Sequence, residues 1–291
     1  GRGAYLEPND PLRAAQFLVA AELDGDPRDA RIFLAAALSR DAIERHFAAA
    51  ISQHEHIAWD ADAAAVLARR QRRYGALVLE DVPLTAPDPA AVTAALLEGI
   101  RRQGLQVLPW TEALRQWQAR AMLLHRLDPQ SWPALSDEAL LATLEDWFAP
   151  FAQGISRLSQ LRGVPLKQAL EALLSYQQQR QLEAEAPTHL AVPSGSRVAI
   201  DYLAGETPVL PVKLQEMFGQ QDTPRIGGGR IALTLHLLSP ARRPVQVTQD
   251  LAGFWRTGYA EVRKELRGRY PKHPWPEDPL TALPMRGVKR G

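Results

Sequence analysis

The cations and rings in the last third of this chain are of the types, and at the spacing, that could hold single-stranded nucleic acid. Arg225, Arg230, Arg242, Arg243, Arg269 and Lys272 are interleaved with Tyr270, His273 and Trp275, and Arg256, Arg267 and Tyr259 extend the set. A single strand is gripped by a basic groove that follows its phosphates and by aromatic faces on which its bases stack. A plainer assignment competes for the rings. Phe254, Trp255 and Trp275 could pin the tail to its own domain while the arginines pair with nearby acids. The two readings stand level for the aromatics. Binding is favoured for Arg242-Arg243, which have no adjacent carboxylate and lie between Ser239-Pro240 and Pro244, where a tight surface turn is expected.

Other chemistry finds less support. A nucleotide motor needs a glycine-rich loop ending in Gly-Lys-Ser/Thr to cradle phosphates and magnesium. The glycine triplet Gly227-Gly228-Gly229 is followed instead by Arg230 and an apolar run, which reads as a flexible strand connection. There is no DExH tetrapeptide, so these residues are expected neither to hydrolyse ATP nor to hold a cofactor. His54 and His56 flank Glu55, with Asp60 nearby, and residues two apart on a strand share a face. Without a third ligand at a recognisable spacing, exposed histidines are the better reading and no metal is assigned. No Gly-x-Ser-x-Gly elbow is present, so no catalytic residue is assigned.

Composition agrees with a folded, water-exposed chain. It has 291 residues, 46% of them apolar and 23% charged, enough for two or three domains. No apolar run approaches the ~20 residues of a membrane span. The absence of cysteine excludes disulfides and thiolate metal sites and fits a reducing compartment. The net charge of +1 conceals an asymmetry. Residues 1–100 carry ten Lys and Arg against fifteen Asp and Glu; residues 225–291 carry thirteen against five. A basic end of this kind suits a polyanion or an acidic protein. The opening Gly1-Arg2-Gly3-Ala4-Tyr5 has neither an initiator Met nor an apolar signal segment, and reads as the start of an excised piece.

The elements that must position these residues predict an α+β chain in three parts. Residues 1–86 form a β-rich, OB-like region cut at its start, 87–186 a helical region, and 187–291 a mixed strand and helix extension with the basic tail. In the first part, residues 16–23 and 31–36 pair as a hairpin around the turn cluster Asp24-Gly25-Asp26-Pro27, Ser39 caps a helix, and 56–60 form a strand. Composition favours helix over 63–74, but a place between two strands favours a meander strand, and strand is preferred. In the second part, helices start at Asp88-Pro89, Thr111, Ser136 and Pro165, the last running through Leu174 into a polar stretch up to Glu185. Trp117 and Trp147 fall on apolar stripes and read as core. In the third part, strands are expected over 197–202, 230–238 and 244–248, and a final helix over 253–269.

Several of these segments, read as strings, resemble the carboxy-terminal end of the bacterial HrpB-type ATP-dependent helicases, a DExH-box family. They include Trp59-Asp60, Tyr74–Leu79, Pro187-Thr188-His189-Leu190, Val192–Gly195, Thr223–Ile226, the Leu235–Trp255 block and Arg269-Tyr270-Pro271-Lys272-His273 with Trp275-Pro276. The resemblance implies a cytoplasmic parent that works on RNA with ATP and magnesium, bound by two motor domains not contained in these residues. It implies an accessory role here, with RNA or another single-stranded nucleic acid and the parent's own helicase domains as partners, and no membrane. The rival is a structural or protein-interaction module without nucleic-acid contact.

Overall fold

The computed structural model describes residues 3–25 and 29–287, so part of the turn cluster at 24–27 lies outside the described residues. The chain packs as two units, Gly1–Gln103 with Ala152–Leu161, and Gly104–Phe151 with Arg162–Gly291.

In the first unit, β1 (Gly3–Tyr5), β2 (Phe17–Leu23) and β3 (Asp29–Leu38) form one sheet, with β3 parallel to β1 and antiparallel to β2. Ser39 starts α1 (Arg40–His46) by accepting the amide of Ala42 on its Oγ. A meander follows, β4 (Ile51–Asp60), β5 (Ala65–Tyr74) and β6 (Leu77–Pro83), with Ile51 facing Tyr74 and Asp60 facing Ala65. The strand preferred over 63–74 is therefore formed, because ladders on both sides outweigh the helix propensity of its Ala, Arg and Gln residues. Phe17, Ile43 and Leu79, with Leu38, Ile51 and Tyr74 packed around them, make its small core. Asp88 accepts the amides of Ala90 and Ala91 at the head of α2 (Pro89–Gln103), which packs on β4 and β5. There Gly99 leaves room for the Trp59 ring, which occupies the space a Cβ would need. The region is β-rich as expected, yet its described strands do not close into a barrel. Their hydrogen bonds stop at the edges of two separate three-stranded sheets, and closure needs an unbroken ladder.

The second unit begins helically. Thr111 caps α3 (Glu112–Leu127), and Ser136 caps α4 (Asp137–Ala142). The third expected helix breaks at Thr143, whose hydroxyl turns back to the carbonyl of Ala139, and resumes as α5 (Leu144–Trp147). The fourth is also two, α6 (Leu166–Glu171) and α7 (Tyr176–Glu185). Ser175 and Gln178 exchange backbone hydrogen bonds in a capping box that starts α7 afresh. Strands then dominate: the hairpin β7 (His189–Ala191) and β8 (Arg197–Ala199), then β9 (Val209–Lys213), then the pair β10 (Arg225–Ile226) and β11 (Ile231–Ala232). In the main sheet β12 (Thr234–Leu238) runs parallel to β9 and antiparallel to β13 (Pro244–Thr248). The single strand expected over 230–238 is thus divided between two sheets at the buried Leu233. Asp250 caps α8 (Leu251–Thr257), and Gly258 separates it from α9 (Tyr259–Arg269), so the last expected helix is two. Leu210, Leu235, Leu237, Phe218 and Leu251 are fully buried and form the heart of this unit.

Candidate nucleic-acid interface

Arg242 and Arg243 sit on the turn joining β12 to β13. The amide of Arg242 donates to the carbonyl of Ser239 at 2.8 Å, and the amide of Ser239 donates back to the carbonyl of Arg243 at 2.8 Å. The Ser239 hydroxyl, itself buried, accepts the amide of Arg243 at 3.1 Å. This closure holds Arg242 at a φ of 60°, a left-handed conformation unusual for a residue with a Cβ. Both arginine side chains are exposed, and among the described residues neither has a carboxylate partner.

Arg225 and Arg230 serve a different end. The Arg225 guanidinium donates to the carbonyls of Gly229 at 2.5 Å and Arg230 at 3.1 Å. Arg230 donates to the carbonyl of Gly227 at 2.8 Å and pairs with Glu185 at 3.2 Å. The glycine triplet, expected as a flexible connection, is therefore a braced loop. Its three residues take φ of 64°, 64° and 82°, which only glycine adopts freely, and two guanidiniums hold its carbonyls.

The remaining candidates lie on α9 and the proline-rich strap that follows it. The strap returns along the helix: Tyr259 donates its hydroxyl to the carbonyl of Pro276 at 2.9 Å, and Arg263 Nε donates to that of Trp275 at 3.0 Å. Trp275 is only 8% exposed, and its indole N–H donates to the carbonyl of Tyr270 at 2.9 Å. Phe254 and Trp255 are buried in a ring cluster with Phe218 and Tyr259. For Phe254, Trp255 and Trp275 the pinning role is the one the packing displays. Burial pushes the Tyr259 hydroxyl up to about 12. Tyr270 and His273 meet edge to face at 6.2 Å. Partial burial, followed by the charge of Lys213, holds the His273 imidazole below its usual value, which favours the neutral ring. Lys272 is exposed, and Arg269 makes only a loose, exposed pair with Glu265 at 3.8 Å, worth little in water.

Lys264 and Arg263 were not among the residues singled out from sequence. With Arg267, Ala260 and Gly268 they line a groove of about 560 Å³ along α9. Their signal was the spacing of 260, 263, 264 and 267, which puts a small residue and three cations on one helical face. Arg263 is partly committed to Trp275 and Glu277, leaving Lys264 and Arg267 as the open charges of the groove. His54 and His56 share a face of β4, where His54 meets the Ser52 hydroxyl at 2.7 Å, and no metal-binding cluster of three His, Asp or Glu side chains forms among the described residues.

Residues 147–279 match the family described as ATP-dependent helicase C-terminal, and residues 50–84 match the connector region of the ATP-dependent RNA helicase HrpB. The chain belongs to this family, as a carboxy-terminal region of the HrpB type of ATP-dependent helicase. It is 41% identical over 294 residues to the ATP-dependent RNA helicase HrpB of Escherichia coli, a match that covers all of this chain and 36% of that protein. A crystal structure of the E. coli DExH-box NTPase HrpB superimposes with a TM-score of 0.68, at 41% identity over 98% of this chain and 36% of the other. A second, of the Escherichia coli DEAH/RHA helicase HrpB, gives 0.59 at 37% identity over 94% and 35%. Among the described residues no helix is long and apolar enough to cross a membrane.

Proposed function

We propose that this region is a non-catalytic accessory part of a cytoplasmic ATP-dependent RNA helicase and adds phosphate contacts for single-stranded RNA. ATP and magnesium would be held by helicase domains outside these residues, and those domains would be its other partners. The observation that carries the reading is the pair of exposed guanidiniums on a closed turn, Arg242 and Arg243, with no carboxylate to neutralise them among the described residues. Lys264, Arg267, Arg269 and Lys272 would extend the contact along α9 and the strap. A planar guanidinium matches phosphate with a fork of donors. In the conformation described, Trp275 would brace the strap rather than stack on a base, and Arg225 and Arg230 would support their loop.

A second reading has its own observation. Val19 and Leu23 on β2, with Phe33 and Leu34 on β3, expose apolar side chains beside an edge strand, as a surface that docks on protein does. The accessory region would then also brace the helicase domains. Titrating labelled oligouridylate separates the readings. Phosphate contact makes affinity fall steeply between roughly 50 mM and 200 mM salt. Absence of binding at both, with complex formation when the helicase domains are added as a separate chain, would leave the brace alone.

A further inference from the structure

Trp117, expected on a buried stripe, is only partly buried and lines a cavity of about 730 Å³ in the second unit. The helical side of the cavity is one face of α3, with Glu112, Gln116 and Trp117; the opposite side is Ile200, Asp201 and Pro211. Its walls are mainly apolar, and its polar groups are unevenly charged. Arg120 reaches the cavity but is only 3% exposed, and its guanidinium is committed to Glu183 at 2.7 Å and to the carbonyls of Leu182 and Ala186. Glu112 and Asp201 have no such cationic counterpart among the lining residues. Gln116 fixes Asp201 by donating to its Oδ1 at 2.8 Å, and the amide of Leu203 donates to the same oxygen at 2.9 Å. The Gln116 and Leu203 hydrogen bonds keep that carboxyl below its ordinary range, so it is charged at neutral pH.

The same helix shows what such a pair holds when it is filled. Two residues before Trp117, the Arg115 guanidinium lies 3.7 Å above the Trp110 ring and pairs with Asp137 at 2.6 Å. The indole takes the face of the guanidinium and the carboxylate accepts from its edge, an arrangement favoured because the ring quadrupole and the anion both attract the cation. The cavity repeats the indole and the carboxylate without a free cation of this chain among its lining residues. We propose that the cavity beside Trp117 seats an arginine side chain from a basic segment of a partner protein, stacked on the indole and paired with Asp201, with Glu112 at the rim. A nucleotide fits it poorly, since both carboxylates repel phosphate. The site is independent of the RNA reading, which uses other residues.

The test is an NMR titration of the indole N–H signals with the end-blocked tripeptide Gly-Arg-Gly, the Trp117 signal being assigned by its loss in Trp117→Phe. The arginine peptide should shift that signal saturably, and the same peptide with citrulline in place of arginine should not. Asp201→Asn keeps an acceptor for Gln116 and Leu203 and should weaken the peptide about tenfold, as expected when one charge-assisted hydrogen bond is removed. Glu112→Gln, on the exposed first turn of α3, gives a second reading should Asp201→Asn fail to fold. Equal shifts with citrulline, a shift with oligouridylate instead of the peptide, or no shift at millimolar peptide would each overturn the proposal.

Discussion

Arg263 on α9 donates through Nε to the carbonyl oxygen of Trp275 at 3.0 Å, so a helix side chain fastens the strap that follows the helix. The strap carries Pro271, Pro274, Pro276 and Pro279, none of which has an amide proton to give. Its register therefore depends on donors brought to its carbonyls. Arg263 serves Trp275, the Tyr259 hydroxyl serves Pro276, the Trp275 indole serves Tyr270, and the Gly219 amide serves Pro279. Arg263→Ala should lower stability by about 1.5–3 kcal/mol, the worth of a charged hydrogen bond at a partly buried acceptor. Urea unfolding would measure it, and faster amide exchange confined to the strap would locate it. An unchanged midpoint would mean that the rings alone hold the strap.

The Tyr259 hydroxyl makes the second unit sensitive to alkali. Its folded pKa is raised to about 12, first by burial, from an ordinary value of 10.0. A neutral phenol is thus favoured in the folded state. The stability this group contributes is fully present below pH 10 and is lost as pH climbs through 12. Burial shifts Tyr202 in the same direction, so two groups act with one sign. Thermal unfolding followed from about pH 9 to 12 should show a falling midpoint, with a shallower fall in Tyr259→Phe. A slope identical to the unmodified protein's would show that Tyr259 ionises freely when folded.

Gly99 lies inside α2, where glycine costs roughly 0.5–1 kcal/mol relative to alanine on propensity alone. Here the substitution should run the other way. A Cβ at 99 would enter the ring of Trp59, a β4 residue buried against the helix. Gly99→Ala is expected to destabilise the first unit by about 1–3 kcal/mol through overpacking. A gain in stability on chemical denaturation would refute the tight contact.

Much of the local structure was legible because it rests on neighbours in sequence. Ser39, Asp88, Thr111 and Ser136 each cap the helix that their position predicts, since a cap needs only the next three residues. The Arg242-Arg243 turn was legible for the same reason. What escaped was decided by distant groups or by small competing ones. The break at Ser175 turned on a capping box inside an otherwise continuous helical pattern. The division of 230–238 depended on two different neighbouring strands, which no local pattern encodes. The bracing of the glycine triplet depended on where Arg225 and Arg230 aim their side chains, and the position of Trp117 on a cavity depended on β8 and β9 passing nearby.

The turn at Arg242 and Arg243 allows charge and backbone to be separated. Alanine at both positions keeps a Cβ at the left-handed residue, so the strain at 242 is unchanged and stability should move by no more than about 0.5 kcal/mol. Glycine at 242 removes one of the two charges and also the strain, and should stabilise by about 1 kcal/mol. On the proposed reading, RNA affinity would follow the charge and not the backbone strain. Removing one cation from the phosphate backbone should flatten the dependence of log affinity on log salt by about 0.7–0.9 unit. The double alanine variant should therefore give a flatter slope than Arg242→Gly alone, although Arg242→Gly is the more stable protein. Affinity and slope equal to the unmodified chain's in both variants, at every salt concentration, would show the turn to be solvated surface. A bracing role for the exposed apolar side chains of β2 and β3 would then be the stronger account of the region.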